Sequence, residues 1–95
     1  MKYKILQLKD IGSVDYAFMP YDYAKKHGFA FDNYRIVYEG TIESEDKIHA
    51  LEDLFYKFNC NHPADFKGHS LSVSDIIELD GEACYCNPCG WEIGI

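Results

Sequence analysis

Long apolar runs and clustered positive charges are both missing from this sequence. No stretch approaches the roughly 20 apolar residues that a membrane-spanning helix needs. Nine Lys and Arg residues stand against sixteen Asp and Glu, for a formal net charge of −7, and the densest basic group is Lys25-Lys26-His27. Because contacts to phosphates need clustered Lys and Arg, we expect neither direct nucleic-acid binding nor a membrane interaction.

The N-terminal residues 1–8 also lack the continuous apolar core of a signal peptide, because charged residues interrupt them early. We therefore expect a cytoplasmic protein whose four cysteines are thiols or metal ligands and not disulfides. The 95 residues leave room for one hydrophobic core, which predicts a single domain over 1–95.

The hydrophobic patterning predicts an α+β fold. Apolar and β-branched runs predict strands over residues 2–8, 34–42, 73–79, 82–87 and 91–93. Turn and capping signals predict a short helix near 20–27 and a long helix that Ser44 caps and that runs to about Phe58. The expected architecture is a small mixed or antiparallel sheet with the long helix packed on one face. In the strand over 34–42, simple alternation places Tyr34, Ile36 and Tyr38 together on one face.

Three cysteines form the cluster Cys84-x-Cys86-x-x-Cys89 near the end of the chain. With Cys60 or His62 added, the cluster offers four donors of the kinds that zinc binds. A two-residue Asp80-Gly81 hairpin turn instead places the side chains of Cys84 and Cys86 beside those of Ile77 and Leu79, on the core side of the sheet. Core thiols are therefore the preferred interpretation, with a zinc site or a redox pair as alternatives.

No histidine stands at a spacing that marks a catalytic triad, and no cofactor motif is visible. The sequence therefore predicts no catalytic residue, no metal ligand and no cofactor. A small metal-dependent enzyme remains an alternative that only a geometry of converging side chains can support.

Aromatic residues are concentrated between residues 16 and 38, which hold eight of the fifteen in the chain. A domain of this size does not bury all of them, and tyrosine is favoured at protein interfaces because it combines a large area with a polar tip. This segment, with Tyr16 and Phe18, is the predicted protein-binding surface.

The segment Pro63–Ile77, which contains the letters DFKGHSLSVSD, resembles the YodL-like domain. Asp15-Tyr16-Ala17-Phe18 near the start, and Tyr85 followed by Gly90-Trp91 near the end, extend the resemblance over most of the chain. Ser74 stands where we expect glycine and Trp91 where phenylalanine is usual.

The resemblance implies a bacterial cytoplasmic protein of Firmicutes, linked to mobile genetic elements, in which such domains occur alone or within large polyvalent proteins. It transfers no catalytic motif. It implies that one set of residues in the central segment acts together, either to shape the loop or to bind a partner: Asp65, Phe66, His69, Ser70, Ser72 and Asp75.

Three functional hypotheses follow. The first is a non-enzymatic module that binds an unknown protein through Tyr16, Phe18 and the central segment, as a monomer or a weak homodimer. The second is an acidic inhibitor that mimics DNA or counters host defence, because the chain carries a net charge of −7. The third is the small metal-dependent enzyme.

Overall fold

The computed structural model describes all residues 1–95 and confirms the α+β fold. Five strands form one sheet in the order β2-β1-β3-β4-β5, and every neighbouring pair is antiparallel. The strands are β1 Lys2–Leu8, β2 Tyr34–Thr41, β3 Ile76–Leu79, β4 Glu82–Asn87 and β5 Gly90–Ile93. The helices are α1 Tyr21–Lys26 and α2 Lys47–Cys60, and single 3-10 turns lie at Ile11–Ser13 and Phe31–Asn33.

Helix α2 begins later than the sequence predicted because Asp46, and not Ser44, is its N-cap. The Asp46 carboxylate accepts the backbone N–H of His49 at 2.9 Å, while the Ser44 hydroxyl donates to the Asp46 carbonyl at 2.9 Å. This arrangement satisfies a backbone donor that the first helical turn leaves free. The buried stripe of α2 comprises Ala50, Leu51, Leu54 and Phe58. No helix here combines the length and the apolar character that crossing a membrane requires.

The two faces of the sheet are covered differently. We call the face under α2 the helix face; there, the sheet side chains Tyr3, Ile5, Ile77 and Leu79 pack with α2 into one buried cluster. The other, which we call the aromatic face, is covered over one half by residues 14–33. Its buried cluster comprises Leu8, Tyr16, Ala24, Tyr34, Ile76 and Tyr85.

Phe29 is the centre of the aromatic face. Its ring lies 5.4 to 6.0 Å from those of Tyr16, Tyr21, Tyr34 and Tyr85, in tilted or edge-on arrangements. Such edge contacts are favourable beyond the area that they bury. Most of the aromatic residues between residues 16 and 38 therefore serve to cover this part of the aromatic face.

A bulge in β2 overturns the predicted alternation of that strand. Tyr38 pairs with Ile5 while Ile36 pairs with Leu6, so Val37 is an extra residue. One inserted residue exchanges the two faces beyond it. Tyr34 consequently packs into the aromatic face and Tyr38 against the helix face, and Ile36 is half exposed.

The Asp80-Gly81 hairpin has the predicted register. Asp80 has φ 46° and Gly81 φ 85°, as a two-residue turn of this kind needs, and Ile77 lies opposite Cys84. Cys84 and Cys86 are buried on the helix face, whereas Cys60 and Cys89 are exposed. Burial raises the pKa of the Cys86 thiol to about 12 and also raises the pKa of Cys84.

The thiols are expected to react in two classes. Cys60 and Cys89 are exposed in the native protein, so they should react at once with Ellman's reagent. Cys84 and Cys86 should react only when the protein unfolds. Stopped-flow absorbance would give two fast equivalents in buffer and four in denaturant. A Cys60→Ser, Cys89→Ser variant should lose the fast phase, and rapid labelling of a third thiol would contradict the assigned register.

Candidate functional site

The tight turn over Ser72–Asp75, directly before β3, joins the two sides of the molecule. The Asp75 N–H donates to the Ser72 carbonyl at 3.0 Å, and the Asp75 carboxylate accepts the Ser72 N–H at 3.0 Å. The sequence predicted that a strand would begin at Val73. The turn occupies Ser72–Asp75 instead, so β3 has only four residues. Its backbone is then bonded to β4, because Ser74 N–H donates to the Cys86 carbonyl and Cys86 N–H to the Asp75 carbonyl.

Asp75 is a carboxyl group 2% exposed, and Gln7 of β1 is its buried partner at 1% exposed. The Gln7 amide nitrogen donates to Asp75 Oδ2 at 3.1 Å and to the His69 carbonyl at 2.8 Å. The Gln7 oxygen accepts the His69 N–H at 3.2 Å. The Gln7 side chain therefore connects β1 both to the Ser72–Asp75 turn and to the loop that contains His69. We call this loop, between α2 and the turn, the central loop. We call these three residues, Gln7, His69 and Asp75, the glutamine clamp.

The imidazole of His69 is oriented by its own loop. Nδ1 lies 2.7 Å from the Ser70 carbonyl oxygen, and because a carbonyl only accepts, Nδ1 carries the hydrogen. Asp75 Oδ2 lies 4.0 Å from Nδ1, and the His69 side chain is 46% exposed. Gln7 thus bonds to the His69 backbone, while the His69 ring is partly exposed to solvent, next to the exposed Ser70.

Gly68 permits the close approach of the central loop to the Gln7 side chain. A Cβ atom at position 68 would overlap the Gln7 side-chain oxygen and would lie 2.9 Å from the Phe66 ring. Glycine is therefore required here by space, and not by its own dihedral angles.

On the aromatic face, the same turn holds Phe18. The Phe18 N–H donates to the Ser74 hydroxyl at 3.2 Å, and the Tyr34 hydroxyl donates to the Ser74 carbonyl at 2.7 Å. Phe18 has φ 65° and its ring is 54% exposed. A bulky residue in this region is strained by roughly 1–2 kcal/mol, and strain of this kind collects at functional positions. The Tyr85 hydroxyl bonds to the Met19 carbonyl at 2.7 Å and fixes the loop beyond it.

Exposed apolar side chains are concentrated in the segment of the chain that contains Phe18. Seven large hydrophobic residues of the chain are exposed, and four of them belong to residues 9–33. We call these four, Ile11, Phe18, Met19 and Phe31, the apolar patch. Lys9 N–H donates to the Asn33 carbonyl at 2.8 Å, which places the turns of Ile11 and Phe31 at the same end of the sheet as Phe18. Sequence reasoning singled out Phe18 and counted Phe31 among the aromatic residues of the segment 16–38, but it missed Ile11 and Met19, since exposure has no local signature.

The remaining residues predicted to bind are divided between core and surface. Tyr16 is 0% exposed and Phe66 7%, so neither offers surface to a partner, and both serve the packing of their faces. Asp65 accepts the Tyr38 hydroxyl at 3.1 Å and holds the loop against β2. His69 and Ser70 are exposed on the central loop. The turn brings Phe18 and His69 to its two sides, one on each face of the sheet.

No three of the His, Cys, Asp and Glu side chains converge closely enough to hold a metal ion. Asp75 is the one buried carboxylate, and its Oδ2 accepts both the Ser72 N–H and the Gln7 amide N–H.

A family model, the YodL-like domain, matches residues 2–92. The chain belongs to the YodL-like domain family. The match covers both helices, the loop between α2 and β3, and all of the sheet except Ile93, the last residue of β5. Searches of curated proteins and of solved structures find no match.

One departure from the YodL-like pattern now has a physical reason. Ser74, which stands where we expected glycine, has φ 84°, a backbone region that favours glycine. In this YodL-like chain the serine hydroxyl accepts the Phe18 N–H, and this bond offsets part of the strain.

Substitutions at Phe18 test the strain. Glycine is ordinarily less stable than alanine by about 0.5–1 kcal/mol in regular structure. At position 18 the order should invert, with Phe18→Gly more stable than Phe18→Ala by roughly 0.5–1 kcal/mol, because only glycine accepts φ 65° without strain. Urea denaturation measures both. The same pair at Met19, where φ is not positive, should show the ordinary order. Phe18→Ala at least as stable as Phe18→Gly would contradict the strained conformation.

The Asp75 carboxyl should make stability depend on pH with an unusual sign. Burial raises its pKa from 3.8 to about 6, against the bonds from Ser72 and Gln7 and the nearby charge of His69. The native state therefore holds the proton more tightly than the unfolded chain. This stabilisation is complete below pH 3.8 and is lost as the pH rises through about 6.

Asp75→Asn removes the titration and keeps an oxygen acceptor. Between pH 5 and pH 7.5, the free energy of unfolding of the natural protein should fall by on the order of 1 kcal/mol relative to Asp75→Asn. Urea titrations of both proteins at the two pH values measure this difference. An unchanged difference, or one of opposite sign, would show that Asp75 is not held in a desolvated site.

Proposed function

We propose that this YodL-like domain is a non-enzymatic module that binds another protein through the apolar patch. The observation that carries the proposal is Phe18, an aromatic side chain held at φ 65° with 54% of its surface exposed. The core gains little from a ring in that position. A rigid, exposed aromatic side chain is the kind of anchor that dominates protein interfaces.

The supports beneath Phe18 are consistent with this role. Ser74 accepts its N–H, Tyr34 fixes Ser74, and Tyr85 fixes Met19. All three partners are buried, so the loop is preorganised before any partner arrives. Preorganisation lowers the conformational entropy that binding must offset.

The distribution of charge favours a contact module over a DNA mimic. A mimic needs its carboxylates arrayed along one surface. Here Lys4 of β1 lies between the acidic residues Glu39 of β2 and Glu78 of β3, and Lys47 pairs with Glu82. We also propose, as the resemblance described above implies, that the module acts in the bacterial cytoplasm and is linked to a mobile element.

Site-specific photo-crosslinking tests the proposal. A benzophenone amino acid replaces Phe18 in one protein and Tyr56 in another; Tyr56 is 68% exposed on α2 and serves as the matched control. In lysate of the native host, the position-18 probe should give one dominant adduct that the position-56 probe does not give. Excess unlabelled natural protein should compete it away, and excess Phe18→Gly should not. No adduct at position 18, or the same adducts at both positions, would overturn the proposal.

A further inference from the structure

Strand β2 forms a free edge of the sheet beside the apolar patch. The Lys9 N–H bonds to the Asn33 carbonyl, so by the antiparallel alternation Gln7 and Arg35 form the next bonded pair. The peptide groups of Tyr34 and Ile36 then point away from β1. The Tyr34 N–H donates to the Phe31 carbonyl. The Tyr34 carbonyl and both backbone groups of Ile36 remain available to an added strand.

Apolar surface flanks this edge on the aromatic face. The Ile36 side chain is 50% exposed and the Phe31 side chain 49% exposed. The bulge at Val37 ends the regular ladder immediately after Ile36, and a bulge turns an edge away from further pairing. An added strand therefore has about three residues to pair with, and its side chains must supply the rest of the affinity.

Positive charge flanks the same edge on the helix face. Arg35 is exposed there, opposite Gln7, and Gln7 is the residue over which Gly68 and His69 pack. Lys67 and His69 lie on that loop, on either side of Gly68 in the sequence. Neither Arg35 nor Lys67 forms an ion pair within the chain, although it carries sixteen acidic residues.

A second copy of this chain is a poor occupant of the edge. Antiparallel pairing of Tyr34–Ile36 with itself about a two-fold axis would place Arg35 directly opposite Arg35. Like charges in that position destabilise a strand pair. Charge complementarity instead favours an acidic residue opposite Arg35.

We infer that β2 receives an extended segment of a partner protein with the pattern apolar–acidic–apolar. Its acidic residue lies opposite Arg35 and beside the Lys67–His69 loop, and its apolar residues lie beside Ile36 and Phe31. Its backbone bonds to the Tyr34 carbonyl and to Ile36, as in other cases of strand addition to a sheet edge. The inference rests on the proposed function and names the class of partner segment.

Two blocked peptides test the inference, Thr-Val-Glu-Val-Thr and Thr-Val-Lys-Val-Thr. Titration at low salt, followed by the ¹⁵N–¹H spectrum, should shift the amides of Arg35, Ile36 and Val37. The Glu peptide should bind about three- to tenfold more tightly than the Lys peptide, because the cross-strand charge pair changes sign. Arg35→Glu should invert that preference.

Proline scanning tests the backbone part. Ile36→Pro removes an outward N–H without breaking the ladder to β1, and it should lower the affinity for the Glu peptide at least fivefold. Thr41→Pro is the matched control, because its N–H also points outward but lies beyond the bulge, and it should bind as the natural protein does. If Ile36→Pro fails to fold, the Arg35→Glu inversion decides the question.

The outcomes separate this inference from the proposed function. Equal binding of both peptides, shifts confined to other strands, or full binding by a folded Ile36→Pro would overturn strand addition at β2. A specific adduct at position 18 would leave the interaction module standing in that case. If that adduct is absent and peptide binding is charge-selective, strand addition at β2 would stand and the apolar patch would be rejected as a binding surface.

Discussion

The structure depends on how one buried carboxylate is satisfied. Asp75 stands at the start of β3 with 2% of its surface exposed, and it accepts from the Ser72 backbone and the Gln7 amide. An unpaired buried carboxylate is far more costly than a bonded one, so the turn, the sheet and the central loop must keep these positions together. Gln7 extends the constraint to His69. Ser74, one residue before Asp75, extends it to Phe18 on the other face of the sheet.

This arrangement connects packing with the proposed function. The same turn sets the Phe18 ring in solvent on the aromatic face and the His69 ring at the border of solvent on the helix face. The hydrophobic core does not require either the Phe18 or the His69 side chain at its position. Within the segment Pro63–Ile77, Phe66 and Asp75 are buried while His69 and Ser70 are exposed.

The elements that local patterns define were predictable. The α+β class, the two helices and the Asp80-Gly81 hairpin follow from residue spacing, and the hairpin register placed Cys84 and Cys86 in the core. Residue spacing left a mixed or an antiparallel sheet open, and the strand pairing is antiparallel throughout. The errors have two origins. The late start of α2 at Lys47 and the shortening of β3 by the Ser72–Asp75 turn come from carboxylates that bond to the backbone three residues away, where neighbouring residues offered a competing cap or strand signal. The bulge at Val37 depends on how β2 pairs with the distant strand β1.

The candidate site was predictable only as a list of residues. Sequence reasoning named Tyr16, Phe18, Asp65, Phe66, His69 and Ser70, and the fold buried two of them. By itself the sequence determined an α+β domain, its acidic charge and the thiols of the hairpin, because spacing and composition are local properties. Only the tertiary structure decided which aromatic side chains stay in solvent and which edge of the sheet stays open. Those outcomes depend on how distant segments compete for the same buried surface.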